Sequence, residues 1–73
     1  DEGVRLPYPS TAVQAREDTI YAFTNQYLMT FRLGETKAVT HALPLYVESV
    51  LGITQSKKAI VTSGGAVYLL TLP

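Results

Sequence analysis

The sequence has no cysteine, no tryptophan, one histidine and few charged residues. Without cysteine, the chain forms no disulfide and has neither a thiolate nucleophile nor a cysteine-based metal site. The six Lys and Arg residues balance the six Asp and Glu residues, so the net charge is zero with His41 neutral. Such a chain exerts no general attraction on nucleic-acid phosphates or anionic lipids. We therefore expect neither nucleic acid nor a membrane among its partners.

Long apolar runs are also missing, since none approaches the roughly 20 residues of a membrane-spanning helix. The hydrophobic content of 47% and the charged content of 16% are typical of a folded, soluble domain and not of a disordered tail. A chain of 73 residues forms at most one small domain. It begins at Asp1 and ends at Pro73, directly after an apolar run, so we expect a fragment of a larger protein.

The first clear structural signal is a β-hairpin. Residues 19–24 are rich in β-branched and aromatic residues, and residues 27–33 alternate between two faces, as strands do. Asn25-Gln26 is the predicted turn between them. Gly34 closes the far end of the hairpin.

The last third of the sequence repeats this design. Residues 58–63 and 66–72 are predicted strands on either side of Gly64-Gly65, a pair that readily adopts the positive φ angles of a hairpin turn. Further strands are predicted at residues 11–17, 37–42 and 47–54. For residues 11–17 a single helical turn is the alternative.

The two hairpins also match in sequence. Residues 27–31 align with residues 68–72 at an offset of 41, with Tyr, Leu and Thr identical, and Ile20 aligns with Ile60 at an offset of 40. The chain is thus divided into an extended segment, a four-stranded repeat and an incomplete second repeat. These comprise residues 1–10, 11–42 and 43–73.

A period of about 40 residues with four short strands per unit resembles the blades of a β-propeller. The resemblance covers residues 11–73 and lacks the Trp-Asp and kelch signatures. It implies an all-β fold of antiparallel hairpins in which the chain supplies about two blades of a larger wheel. The uncharged, Thr- and Tyr-rich hairpins also resemble propeller-like structural proteins of tailed-phage particles, which implies association with a virion. A small closed β-barrel or sandwich is the alternative fold.

The apolar positions of the repeat predict the core and leave a second apolar surface. The predicted core comprises Ile20, Met29, Phe31, Ile60, Leu70 and Leu72. Leu28, Val67 and Leu69 fall on the opposite strand faces. Since strands that are apolar on both sides are usually covered on both sides, these three residues are the predicted interaction surface.

For each residue that could take part in catalysis or ligand binding, the sequence favours a structural role. His41 has no nearby acidic partner in the sequence, so we expect a structural or surface histidine. Glu17-Asp18 is predicted to form a polar turn, since adjacent strand residues point to opposite faces. Residues 63–65 precede a strand and not the helix that a phosphate-binding loop requires.

The five tyrosines could stack on bases or sugars, but the basic neighbours that RNA-binding sheets supply are missing, since Arg16 and Arg32 are isolated. Tyr27 and Tyr68 occupy equivalent positions of the repeat, which favours packing with the hydroxyl at an edge. We predict no catalytic, cofactor-binding or metal-binding residue and no cofactor.

These observations predict a non-catalytic structural or protein-interaction segment. Its partners would be other protein chains, the rest of its parent protein or further copies of itself, since an incomplete wheel exposes strand edges. The alternatives are an autonomous small barrel that binds a ligand or a protein through its loops, and an enzyme.

Overall fold

The computed structural model describes residues 3–73, which form seven β-strands and no helix, hence none that could cross a membrane. All seven predicted strands are confirmed, and their ends differ from the predicted ones by at most two residues. The strands are β1 (Ala12–Arg16), β2 (Thr19–Phe23), β3 (Tyr27–Arg32), β4 (Val39–Ala42), β5 (Ser49–Ile53), β6 (Lys58–Ser63) and β7 (Ala66–Thr71).

The strands form two antiparallel sheets in which each strand pairs with the next along the chain. The first sheet has the order β1-β2-β3-β4 and the second has the order β5-β6-β7. Within residues 3–73 no strand of one sheet pairs with a strand of the other, so neither sheet closes. The prediction of an all-β fold is confirmed, and the alternative of a closed barrel is wrong.

Both predicted hairpins have the two-residue turns expected for them. In the first hairpin, Thr24 Oγ1 accepts hydrogen bonds from the backbone N–H of Gln26 at 3.1 Å and of Tyr27 at 2.8 Å. In the second, Gly64 and Gly65 have φ angles of 56° and 81°. Positive φ at both central residues is what a type I′ turn requires, and this turn matches the twist of the strands.

The core lies between the two sheets and uses a different face of the first sheet from the predicted one. Tyr21, Phe23 and Leu28 pack there against Ala59 and Val61 of the second sheet. Of the predicted core, Met29 and Leu72 are buried and Leu70 packs against the cluster. The prediction is wrong for Ile20, Phe31 and Ile60, which are half-buried and lie outside the core cluster. Both faces of these strands are apolar, so alternation alone did not identify the face that meets the second sheet.

The other face of the first sheet is partly covered by the N-terminal segment. Arg5 forms an isolated parallel bridge with Lys37, and the ring of Tyr8 stacks on Tyr27 with centroids 4.6 Å apart. The segment therefore runs alongside β3 and β4. Met29, on the covered face, is fully buried. Apart from that bridge, residues 3–10 form no strand or helix, and Pro7 and Tyr8 lie at a bend. The first two residues of the predicted extended segment lie outside the described part of the chain.

Candidate interaction surface

The second sheet buries one face and exposes an apolar one. Because side chains alternate along a strand, Ala59 and Val61 point into the core, and Ile60 points to the opposite side. Ile60 lies opposite Leu69 on β7, and Thr62 lies opposite Val67. We name the side chains of Ile60, Val67 and Leu69 the outer face.

The outer face is accessible to a partner. Val67 is 65% exposed and Leu69 is 60% exposed, and Ile60 is half-buried between its neighbours. Leu51, 63% exposed, lies in the adjacent strand at the bulge between Val50 and Gly52. These three large aliphatic side chains form an exposed apolar surface on one small sheet.

Polar side chains border this surface without adding charge to its centre. Ser49 Oγ and Thr62 Oγ1 are hydrogen-bonded to each other at 2.6 Å. Lys58 and Thr71 form the last pair of β6 and β7, at the end far from the hairpin turn. The two hydroxyls satisfy one another, and the one charged side chain among these border residues, Lys58, lies at the end of the face that is far from the turn.

The outer face of the second sheet corresponds to the packed face of the first sheet. The turns supply the alignment, since Gly64-Gly65 lies 39 positions after Asn25-Gln26. With the turns aligned, Leu28 of β3 corresponds to Val67 of β7. The first sheet therefore packs on the second through the face that contains Leu28, and the corresponding face of the second sheet, which contains Val67, is exposed.

This alignment corrects the sequence-based one in the first strand of each hairpin. An offset of 40 between Ile20 and Ile60 implied a longer second turn, whereas both turns have two residues. A shift by one residue places a side chain on the opposite face of a strand. Ile60 thus belongs to the outer face, and Ala59 takes the position that corresponds to Ile20.

The three residues of the predicted interaction surface are separated by the fold. Leu28 is 2% exposed and belongs to the core cluster between the sheets. It is therefore covered within the chain and is not available to a partner. The second sheet covers Leu28, which agrees with the expectation that a strand with two apolar faces is covered on both faces. Val67 and Leu69 are accessible, and the prediction of a partner surface stays with them.

β7 is the last strand of its sheet in the described part of the chain. The backbone N–H of Leu72 donates to the carbonyl of Lys57 at 3.0 Å, which fixes the pattern of the ladder. Residues that exchange bonds with the neighbouring strand alternate with residues that face away. The backbone N–H and C=O groups of Val67, Leu69 and Thr71 therefore point out of the sheet.

The titratable side chains that the sequence singled out lie away from the outer face. His41 Nε2 lies 3.5 Å from Thr30 Oγ1 on the first sheet. Glu17 and Asp18 form the predicted turn between β1 and β2. Within residues 3–73, no three side chains of His, Cys, Asp or Glu lie together as a metal site would require.

Arg32 and Asp18 form an exposed ion pair at the end of the first hairpin. Arg32 Nη2 donates to Asp18 Oδ2 at 2.9 Å. This hydrogen bond, together with the positive charge of Arg32, lowers the pKa of Asp18. The same pair raises the pKa of Arg32. Both side chains are more than half exposed, so water screens the attraction and the pair adds little to stability.

A second surface feature is an aromatic groove at the turn of the first hairpin. It is lined by Tyr8, Pro9, Tyr27 and Tyr46, together with residues 24–26. Tyr8 and Tyr46 are exposed, and one face of the Tyr27 ring is occupied by Tyr8. The sequence could not identify this groove, because its three tyrosines are distant in the chain. The connection between β4 and β5 brings Tyr46 beside Tyr27, and the N-terminal segment adds Tyr8.

Comparison of the chain with known protein families, with curated proteins and with solved structures found no match.

Proposed function

We propose that the chain is a non-catalytic structural segment whose second sheet presents its outer face to another β-sheet in a larger, propeller-like assembly. The observation that carries this proposal is the correspondence between Leu28 and Val67. Leu28 packs against the sheet that follows it in the chain, and Val67, at the corresponding position of the second sheet, is exposed.

The two sheets stack head to tail, which makes the arrangement extendable. The packed face of the first sheet meets the inner face of the second, so the two sheets use different faces in one contact. Contacts of this kind leave one free face at each end of the stack and close only when a rotation returns to the start. Radial stacks of four-stranded sheets that close in this way are propellers.

The two ends of the stack differ in their cover. At the first sheet, the N-terminal segment lies alongside β3 with Tyr8 stacked on Tyr27. At the second sheet, Val67 and Leu69 are open to solvent. The open face of the second sheet is therefore the one on which a further sheet can stack. Burying two such side chains against a further sheet stabilises the contact by about 1.5–3 kcal/mol each.

A tandem protein tests this proposal. Residues 11–42 are repeated after Pro73 through a flexible linker, which supplies a second copy of the first sheet without its N-terminal segment. The added sheet is expected to cover the outer face and to raise the melting temperature above that of the chain alone. A matched tandem with Ile60→Lys is expected to lose this gain. A tandem whose melting temperature equals that of the chain would contradict the proposal.

Ligand binding through the loops is the second candidate function, and the aromatic groove is the observation in its favour. Exposed tyrosine rings stack on sugars or on proline-rich segments. Tyr46→Ala removes a lining ring that is 56% exposed, so it tests binding with little effect on the fold. The measurement is titration of the unmodified chain and of Tyr46→Ala with a proline-rich peptide and with an oligosaccharide. Equally weak binding by the unmodified chain and by Tyr46→Ala would exclude this role. Association with a virion remains a prediction that no observation on this chain tests.

A further inference from the structure

Two segments that contain a Leu-Pro pair meet at the turn of the first hairpin. Leu6-Pro7 precedes β1 and Leu43-Pro44 precedes β5, and in both cases the proline lies five residues before the strand begins. Both segments bend at the proline and at the residue that follows it. In the first segment, the ring of Tyr8 stacks on Tyr27 with an angle of 5° between the two rings.

The second segment contacts the same turn through its backbone. The N–H of Leu43 donates to the carbonyl of Gln26 at 2.9 Å, and the N–H of Val47 donates to the carbonyl of Asn25 at 2.8 Å. The turn of the first hairpin therefore packs against two proline-containing segments of its own chain, one through an aromatic ring and the other through hydrogen bonds.

The aromatic groove at this turn adjoins a second depression. The aromatic groove includes Pro9 of the N-terminal segment, and the second depression includes Pro44 of the connection between β4 and β5. Both are lined by Gln26, Tyr27 and Tyr46. The surface thus consists of two neighbouring depressions that share two tyrosine rings and one amide side chain.

We propose that these two depressions bind an uncharged, proline-rich peptide of another protein in the polyproline II conformation. A polyproline II helix has three residues per turn, so prolines three positions apart lie on one face of it. Aromatic-lined grooves bind Pro-x-x-Pro segments through such a face. One proline occupies each depression, in contact with the rings of Tyr27 and Tyr46.

The polarity of the surface favours this ligand. Every residue that lines the two depressions is uncharged, whereas a phosphorylated peptide or a nucleic acid is bound by basic side chains. Gln26 is exposed, and its side-chain amide can donate a hydrogen bond to a peptide carbonyl. The two Leu-Pro segments that contact the turn have the chemistry of such a peptide. The inference specifies the ligand class of the second candidate function and does not depend on the outer face.

Titration with a capped peptide of three Leu-Pro-Ala repeats tests the proposal. NMR spectra of the unmodified chain are expected to show shifts of the backbone amide signals of Gln26 and Tyr46. A control peptide with every proline replaced by alanine lacks the preformed polyproline II conformation, so it should bind at least about tenfold more weakly. Equal binding of the two peptides, or shifts confined to Val67 and Leu69 on the outer face, would overturn the proposal.

Two tyrosine substitutions show whether the peptide binds in the groove. Tyr46→Ala removes a ring that contacts the peptide and should weaken binding about tenfold. Tyr68→Ala is the matched control, because Tyr68 is exposed to a similar extent but lies on β7 in the other sheet. This control should bind like the unmodified chain, and equal losses in both variants would overturn the assignment to the groove.

An oligosaccharide is the competing ligand. Tighter binding of cellohexaose than of the Leu-Pro-Ala peptide would overturn the peptide as the ligand and would keep ligand binding through the loops. None of these titrations changes the expected result for the tandem protein, so failure of peptide binding is distinguishable from failure of sheet stacking.

Discussion

Asn25 and Val47 are joined by two hydrogen bonds that tie the first hairpin to the start of the second unit. Asn25 Nδ2 donates to the carbonyl of Val47 at 2.7 Å, and the backbone N–H of Val47 donates to the carbonyl of Asn25 at 2.8 Å. The side chain of Val47 is buried in the core between the sheets. The turn residue thus fixes the connection that sets the position of the second sheet on the first.

Replacing Asn25 with alanine is expected to lower the free energy of unfolding. The substitution leaves the carbonyl of Val47 without its side-chain donor, and an unsatisfied, partly buried group costs about 1–3 kcal/mol. Urea denaturation measures the change. Gln26→Ala, at the exposed neighbouring turn position, is the control and should be nearly neutral. Equal effects of the two substitutions would show that the side-chain bond contributes nothing.

Two phenylalanines of the first sheet are expected to differ in their contributions to stability. Phe23 is fully buried in the core cluster, so Phe23→Ala should cost about 3–5 kcal/mol. Phe31 is half-buried on the opposite face, so Phe31→Ala should cost clearly less. Thermal denaturation of both variants shows whether the face with Phe23 or the face with Phe31 contributes more to stability. A larger loss from Phe31→Ala would place the main core where the alternation in sequence first suggested.

The strands could be predicted from the sequence, but the choice of faces could not. β-Branched and aromatic residues, two-residue turns and Gly64-Gly65 located all seven strands. Period-two alternation predicts which residues share a face of a strand. When both faces are apolar, it does not predict which face packs against another sheet. Leu28 and Met29 are adjacent, and both are buried, one by the second sheet and the other on the face along which the N-terminal segment runs.

The second hairpin turn depends on glycine at a position with positive φ. Gly64 has a φ of 56°, so a β-branched residue there is strained, and Gly64→Val should cost about 1–2 kcal/mol. Gly64→Asn should be nearly neutral, because Asn-Gly is a favoured type I′ pair. Chemical denaturation measures both changes.

Gly52 provides the control for the turn glycines. Its φ is not positive, and a Cβ atom added there meets nothing within 4 Å. Gly52→Ala is therefore expected to leave stability unchanged or to raise it slightly, through a less flexible unfolded chain. A loss at Gly52 as large as that of Gly64→Val would show that backbone conformation is not the cause.

The ion pair of Arg32 and Asp18 predicts a small effect of acid on the first hairpin. Since the folded pKa of Asp18 is lowered, its contribution is present above the unfolded pKa and is lost as the pH falls through the folded pKa. Titration by NMR should give Asp18 a pKa below its ordinary value. In Arg32→Gln this pKa should rise toward the ordinary value. An Asp18 pKa that is the same in both proteins would show that the pair does not form in solution.

The outer face could be predicted in part from the sequence, and the positions of the two turns hold the information that completes it. Apolar residues on both faces of β7 predict that Val67 and Leu69 belong to a second apolar surface. The same pattern places Leu28 with them, although the second sheet of the same chain covers Leu28. Aligning the hairpins on Asn25-Gln26 and Gly64-Gly65, and not on the shared Tyr-Leu-x-Thr residues, would have placed Ile60 on the outer face.

The accessibility of the outer face in the tandem protein is the most direct test of the account. A soluble paramagnetic probe broadens the methyl signals of side chains that it can approach. In the chain alone, the methyl groups of Val67 and Leu69 should be strongly broadened, since both side chains are more than half exposed. In the tandem, the account predicts that these signals are protected to the level of Leu28 in the existing core. Methyl signals of Val67 and Leu69 that remain as accessible in a folded tandem as in the chain alone would contradict the claim that the outer face binds a further sheet.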